Sequence, residues 1–216
     1  MRVVMTGGTG RLGSAVLREL VSRGAVVGST YVSGATEGLP ATFRKVDLAD
    51  ADAVAPAVRS LAAELGGVDV LLHAAGRSDG GFDELFAVNV RAAWLAIDAL
   101  RGELAGGQIA LLGSIGALKA METPPLLTAT HGALLGLARS LGKELGAQGT
   151  RVNLLALGPL TEGSSSAISP HLRTEYAKHA CLRREATPEE AASAIASFVL
   201  SNTYVTGQGV ALDGGL

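Results

Sequence analysis

The sequence predicts an α/β fold, a sheet of about seven mainly parallel strands between two helical layers, and three observations carry that expectation. Short runs rich in Val, Leu and Ile recur seven times along the 216 residues. Segments of helical period separate most of them, which implies βαβ units. The strand runs are apolar throughout rather than alternating, as expected of strands covered on both faces. Crossovers between such strands should be right-handed.

Taken in order, the run Val3–Met5 leads into a helix over Leu12–Arg23, and the runs Ala25–Val27 and Phe43–Val46 follow. Asp50 is placed to cap a helix over Ala51–Leu65. The run Val68–Leu72 precedes a long helical segment around Asp83–Leu104, then the run Ile109–Leu112, a helix over Leu126–Leu145 and the run Val152–Ala156. Thr187-Pro188-Glu189-Glu190 supplies a capping hydroxyl, a first-turn proline and two carboxylates at the positive end of a last helix over Pro188–Leu200, and Val210–Leu212 closes the sheet. The stretch 160–184, with Ser164-Ser165-Ser166, Pro170 and His171, has no clean period. It reads equally as a substrate lid or as an ordinary surface excursion.

Length and composition suit one domain over residues 1–216, since 48% hydrophobic residues can fill a substantial core. A net charge of -2, with both signs spread along the chain, offers no basic field for nucleic acid or an anionic membrane. Cys181 is the sole cysteine, so no internal disulfide and no cysteine-rich metal site is expected, and no metal is assigned. No stretch approaches the roughly 18 apolar residues of a membrane span, and the expectation is a soluble, cytoplasmic protein.

The first strand ends in Thr6-Gly7-Gly8-Thr9-Gly10-Arg11-Leu12-Gly13 and opens a helix. Glycines at this spacing allow a tight turn, close approach of backbone to a pyrophosphate, and close packing of helix on strand, while the helix N-terminus offers free N–H groups to phosphate. At the head of a βαβ series this predicts a Rossmann-type, doubly wound, three-layer αβα dinucleotide-binding fold.

Further segments make a specific resemblance. Asp47-Leu48, His73-Ala74-Ala75-Gly76, Asn89 in Val-Asn-Val, Ser114 in Gly-Ser-Ile, Gly158-Pro159, Thr206-Gly207-Gln208 and Asp213-Gly214-Gly215 resemble a short-chain dehydrogenase/reductase from end to end. The β-ketoacyl reductase-like branch is most similar, above all over Gly132–Asn153, although Arg11 stands where that branch has glycine. The resemblance implies cofactor contacts from Gly7, Thr9, Gly10, Arg11, Leu12, Gly13, Asp47, Leu48, Ala74, Ala75, Gly76 and Gly158, with Asp47 accepting from the adenine amino group. His73 replaces an Asn of the family pattern and reads at least as well as a structural strand-end histidine. The second strand continues into Gly28, Ser29, Thr30 and Tyr31 without a carboxylate to hold a ribose 2'-hydroxyl or repel a 2'-phosphate. With Arg11 near the phosphate turn, NADP(H) is expected over NAD(H).

In that family a Tyr gives the proton, a Lys four residues on holds the ribose and lowers the Tyr pKa, a Ser holds the carbonyl and an Asn supports a relay water. Here Ser114 and Asn89 stand at the Ser and Asn positions, but Leu127 stands at the Tyr position and His131 at the Lys position. A general acid contributes about 10²- to 10⁴-fold. Its place is open to His131 as a cation, Ser114 relaying a water proton, Thr128, Thr130 or a hydroxyl on the substrate; Tyr31, Tyr176 and Tyr204 lie elsewhere in the chain. His131 reads evenly as a ribose or proton contact and as a neutral packed histidine.

Two functions are therefore carried forward. One is an NADP(H)-dependent ketoreductase acting on a small-molecule carbonyl, in specialised metabolism, with a non-standard or substrate-assisted proton donor. The other is an inactive dinucleotide-binding or regulatory protein. The Ala-, Leu- and Gly-rich long helices suggest a homodimer or homotetramer.

Overall fold

The computed structural model describes residues 1–163 and 168–216, so Ser164-Ser165-Ser166 lie outside the described residues. Seven strands form one sheet: β1 (Arg2–Thr6), β2 (Val26–Tyr31), β3 (Thr42–Lys45), β4 (Val70–His73), β5 (Gln108–Ser114), β6 (Arg151–Leu157) and β7 (Gly209–Leu212). Their spatial order is β3-β2-β1-β4-β5-β6-β7, and all six pairings are parallel.

Side chains alternate along each strand, so a continuous apolar run feeds both faces. Val3 and Met5 enter one core with Val16, Leu17 and Leu20 of helix α1 (Arg11–Ser22) and Ile195 of α7 (Pro188–Ser201). Val4 enters the other, with Val58 and Leu61 of α2 (Ala51–Glu64), Ile97 of α4 (Ala92–Leu100) and Leu134 of α5 (Pro125–Leu145). Each such fully buried aliphatic side chain contributes about 1.5–3 kcal/mol relative to exposure. The three layers and doubly wound sheet are those the sequence predicts.

The capping signals are realised. Asp50 accepts from the Asp52 N–H at 3.0 Å. Thr187 accepts from the Glu190 N–H at 3.2 Å while Glu190 accepts from the Thr187 N–H at 3.0 Å.

Three elements differ from the sequence expectation. Strand β2 runs to Tyr31 because Ser29 and Thr30, polar by composition, are fully buried. The expected helix over Asp83–Leu104 is three pieces: α3 (Phe82–Phe86), a π-helical turn (Ala87–Arg91) and α4. A π turn inserts one residue into the helical repeat, which periodicity alone does not reveal. It carries Asn89 toward the crevice, while Ala92, Ala93 and Ala96 face the core. Finally, Pro170–His179 forms α6, a helix with no buried residue. Without an apolar stripe it shows no period. Its start signal was nonetheless present, since Ser169 accepts from the Leu172 N–H at 3.3 Å and Pro170 occupies the first turn.

The order reverses between β1 and β4, where Thr6 is in register with His73. In such a sheet the crevice outside the strand C-termini at this switch point is where a ligand is held. The glycine turn and the His73–Gly76 segment both leave the sheet there.

Candidate active site

The phosphate turn is built by backbone contacts. Gly7 has φ +77°, and a Cβ on it would lie 2.7 Å from Ala75 Cα. A Cβ on Gly13 would lie 2.0 Å from the Gly7 carbonyl oxygen. Gly10 differs, because a Cβ there would meet only that same oxygen at 3.5 Å, an ordinary contact. Gly7 and Gly13 are thus fixed by the protein's own packing, and Gly10 leaves space for something outside it. Gly10 is also the N-cap of α1 and has no capping side chain, so the first-turn N–H groups and the positive end of the helix dipole face that space. These features fit a dinucleotide pyrophosphate.

Across the switch point a cleft of about 230 Å³ is lined by Leu12, Gly13, Ala74–Arg77 and Gly158 on one side and by Asn89, Ser114, Leu127 and His131 on the other. Ser114 ends β5, and Leu127 and His131 share one face of α5 through their i, i+4 spacing. His131 Nδ1 accepts from the Ser114 N–H at 3.2 Å and lies 3.0 Å from Ser114 Oγ. An Nδ1 that accepts from an amide leaves the ring proton on Nε2. Burial pushes the His131 pKa down to about 4. The imidazole is therefore neutral at pH 7, and the cationic form considered for proton donation is displaced on both grounds.

Asn89 is buried and its amide is occupied. Oδ1 accepts from the Arg77 N–H at 2.7 Å, and Nδ2 donates to the Arg77 carbonyl at 3.0 Å and to Thr130 Oγ1 at 3.1 Å. Thr130, also buried, donates to the Leu127 carbonyl at 2.7 Å and has no hydroxyl proton left to give. Thr128 is bonded to Thr123. A Cβ on Gly116 would lie 3.2 Å from Thr123 Oγ1, 3.3 Å from Thr128 Oγ1 and 3.4 Å from Ser114 Oγ, so three hydroxyls surround that glycine. Thr123 lines the cleft and was not picked out from the sequence, because its place depends on the turn before α5.

His73 lies beneath this end of the sheet rather than in the cleft. Thr6 Oγ1, which accepts from the Ala75 N–H at 3.2 Å, sits 2.9 Å from His73 Nδ1. Burial lowers the His73 pKa to about 4; the Asn89 backbone opposes the shift and His131 adds to it. Nε2 closes no hydrogen bond. The contact with Thr6 supports a structural part for this histidine.

A family model described as Enoyl-(Acyl carrier protein) reductase matches residues 10–216. The chain belongs to the short-chain dehydrogenase/reductase family. It is 30% identical to the cyclic-di-GMP-binding biofilm dispersal mediator protein of Escherichia coli K12, over 98% of this chain and 95% of that one. It is 27% identical to the 3-oxoacyl-[acyl-carrier-protein] reductase FabG of Chlamydia muridarum, over 99% of this chain and 96% of the other. Among solved structures, a blue fluorescent protein from a metagenomic library, crystallised with NADPH, overlays with a TM-score of 0.88 at 30% identity, covering 99% of this chain and 97% of its own.

In this short-chain dehydrogenase/reductase two of the residues expected at the cofactor are engaged by the protein itself. The Leu48 side chain is buried in the core, leaving only its backbone for a ligand. Arg11 is held by Glu162 at 2.5 Å and by Glu189 at 3.2 Å. These carboxylates follow β6 and open α7, so Arg11 is turned away from the β2 edge, where a ribose 2'-substituent would be read. Asp47 is exposed beyond β3, with Oδ1 accepting from the Ala49 N–H at 2.9 Å. Thr9 Oγ1 donates to the Ser33 carbonyl at 2.6 Å and ties the phosphate turn to the loop after β2. Of the tyrosines, Tyr31 packs edge-on against Phe43, Tyr204 is 94% exposed, and Tyr176 is bonded through its hydroxyl to the Glu122 backbone. Among the described residues no tyrosine lines the cleft.

Proposed function

We propose that this chain is an NADP(H)-dependent oxidoreductase that reduces a small-molecule carbonyl with a non-standard or substrate-assisted proton donor. The observation that carries the reading is the pairing of Ser114 with His131 at the end of β5, across one cleft from the glycine turn. Similarity to the FabG reductase, the match to the enoyl reductase family model and the NADPH held by the solved relative support it.

Gly10 and the first turn of α1 would hold the pyrophosphate, Ala74–Gly76 and Gly158 would flank the dinucleotide, and Asp47 would meet the adenine. Bound there, the reduced cofactor supplies a hydride. Ser114 orients the carbonyl; Asn89 holds the Arg77 backbone and, through Thr130, the first turn of α5. Leu127 excludes water and donates nothing. NADP(H) is favoured over NAD(H) because β2 ends without a carboxylate, not because of Arg11. The site acts within a cytoplasmic homodimer or homotetramer, and the segment around α6 serves as its lid.

A second reading, a dinucleotide-binding regulator without turnover, is favoured by Leu127 and the neutral His131. NADPH consumption with quinones, polyketide-like ketones and β-ketoacyl thioesters separates the two. Turnover abolished by Ser114→Ala is the expected result; tight NADPH binding with no turnover on any of them overturns the first reading.

A further inference from the structure

We propose that Glu162 and Glu189 compete with the dinucleotide's pyrophosphate for Arg11, so that these two carboxylates set how tightly the nucleotide is held. This rests on the dinucleotide half of the proposed function and on no turnover.

Arg11 is the first residue of α1, directly after Gly10, the N-cap with no capping side chain. Its side chain therefore begins at the turn whose N–H groups face the phosphate space. Arg11, Leu12 and Gly13 line the cleft from this side, and Glu162 and Gly163 line it from the segment after β6. A Cβ on Gly163 would lie 3.9 Å from Arg11 Cβ, so that segment runs alongside the arginine stem.

The guanidinium is shared between two acids. Nε donates to Glu162 Oε2 at 2.5 Å and Nη2 to Glu162 Oε1 at 3.3 Å, while Nη2 lies 3.2 Å from Glu189 Oε1. The two-point contact with Glu162 is the same geometry by which a guanidinium holds a phosphate. A pyrophosphate and Glu162 thus ask for the same edge of one side chain. One guanidinium between two carboxylates leaves a net negative charge beside the turn. Arg11 holds the Glu162 carboxyl below the usual carboxylate range, so it stays ionised at neutral pH. A pyrophosphate adds further negative charge, and it meets that repulsion in full unless it takes the guanidinium.

The contacts are of the kind that can exchange. The Arg11, Glu162 and Glu189 side chains are 44%, 56% and 61% exposed, and ion pairs so open to water contribute little. The neighbouring pair of Arg173 with Glu185 is the contrast. Its side chains are 22% and 18% exposed, and Arg173 also donates to the Leu160 and Thr161 carbonyls at 2.9 Å and 3.1 Å. That pair braces the segment after β6, whereas Arg11 can change partner without undoing it.

The test is equilibrium binding of NADPH to the full-length protein, read by NADPH fluorescence. Glu162→Gln, which keeps the shape and removes the charge, should bind NADPH about three- to fivefold more tightly than wild type, and Glu162→Gln with Glu189→Gln more tightly again. The gain should fade in 1 M KCl, where the screening length is about 3 Å. In that double variant Arg11→Gln should cost about tenfold, because the guanidinium there serves the phosphates alone. Melting curves on each variant separate a lost charge from a lost turn. Weaker binding by a folded Glu162→Gln overturns the proposal, since the carboxylate would then be orienting Arg11 for the phosphate. An Arg11→Gln that costs nothing in the double variant overturns it too, by making Arg11 a mere screen for the two acids. Failure of every variant to bind NADPH overturns the dinucleotide reading and this one together. Affinities that shift as expected, without consumption of NADPH on any carbonyl, sink the oxidoreductase reading and leave this one standing.

Discussion

The two halves of the crevice are built from different materials. On the phosphate side the decisive contacts are between backbone atoms: a Cβ on Gly7 would strike Ala75, and one on Gly13 would strike the Gly7 carbonyl. On the reaction side the decisive contacts are between side chains far apart in sequence, Ser114 with His131 and Asn89 with Thr130. A site made of backbone admits almost no substitution without losing the turn. A site made of side chains on an intact scaffold can change a residue on the face of α5 and keep its shape. The difference teaches where function can drift in this fold: at the face of α5, not at the end of β1.

The largest effect should come from Gly13→Ala. Its Cβ would stand 2.0 Å from the Gly7 oxygen, so the turn or the start of α1 must move. NADPH affinity, followed by fluorescence, should fall at least 100-fold, since helix N-terminus and turn hold the phosphates together. The melting temperature should fall by several degrees, at about 2–4 °C per kcal/mol for a chain of this size. Gly10→Ala, with only a 3.5 Å contact, should keep the wild-type melt and lose affinity alone. Equal melts for the two variants would break the distinction between protein-fixed and ligand-fixed glycines.

Next comes acid stability, which reports on the side-chain half. His73 and His131 have folded pKa values near 4, below the ordinary 6.5 of the unfolded chain, so the unfolded state binds more protons at any pH between. The stability they supply is fully present above about pH 6.5 and is lost as pH falls from there toward 4. His73, wholly buried, should cost up to about 1.4 kcal/mol per pH unit in that window, and His131, with an edge on the cleft, less. Urea midpoints measured from pH 7.5 to 4.5 check this. His73→Asn should flatten the curve by more than half; an unchanged slope would mean that the histidine is hydrated or charged in the native state.

Leu127→Tyr combined with His131→Lys is the direct exchange between halves, since it imports a proton donor into a scaffold that the rest of the family shares. With NADPH and a simple ketone, kcat/KM should rise about 100-fold, the lower range of general acid catalysis. No gain, in a variant that still binds NADPH, would show that the reaction half lacks more than its acid.

How much of this was legible follows the same division. The sheet, its order of elements and the glycine turn could be read because hydrophobic runs and steric glycines act locally. Ser114 was singled out by its motif and Leu127 by its spacing, and the structure brings both to the cleft. The neutral state of His131 was not, because it depends on the Ser114 amide, 17 residues away, and on burial. The partners of Arg11 were illegible for the same reason: it lines the cleft beside the glycine turn, but the Glu162 that holds it is 151 residues on. The π turn at Asn89 and the unburied helix α6 leave no periodic trace, and the Thr123 hydroxyl is brought in by a turn.

The smallest effect, and the sharpest test of how the reaction half is held, is Tyr176→Phe. The Tyr176 hydroxyl accepts from the Glu122 N–H at 2.7 Å and donates to the Glu122 carbonyl at 3.2 Å. It therefore links α6 to the segment Met121–Pro124, in which Met121, Thr123 and Pro124 line one wall of the cleft. Phe keeps the ring and removes two exposed hydrogen bonds, worth about 1 kcal/mol together at most. The wall should loosen without altering the glycine turn on the far side of the cleft. Substrate KM should rise about three- to fivefold, while the NADPH Kd and kcat stay within twofold. Equal losses in both affinities would mean that α6 braces the whole crevice, and the two halves would no longer be separable.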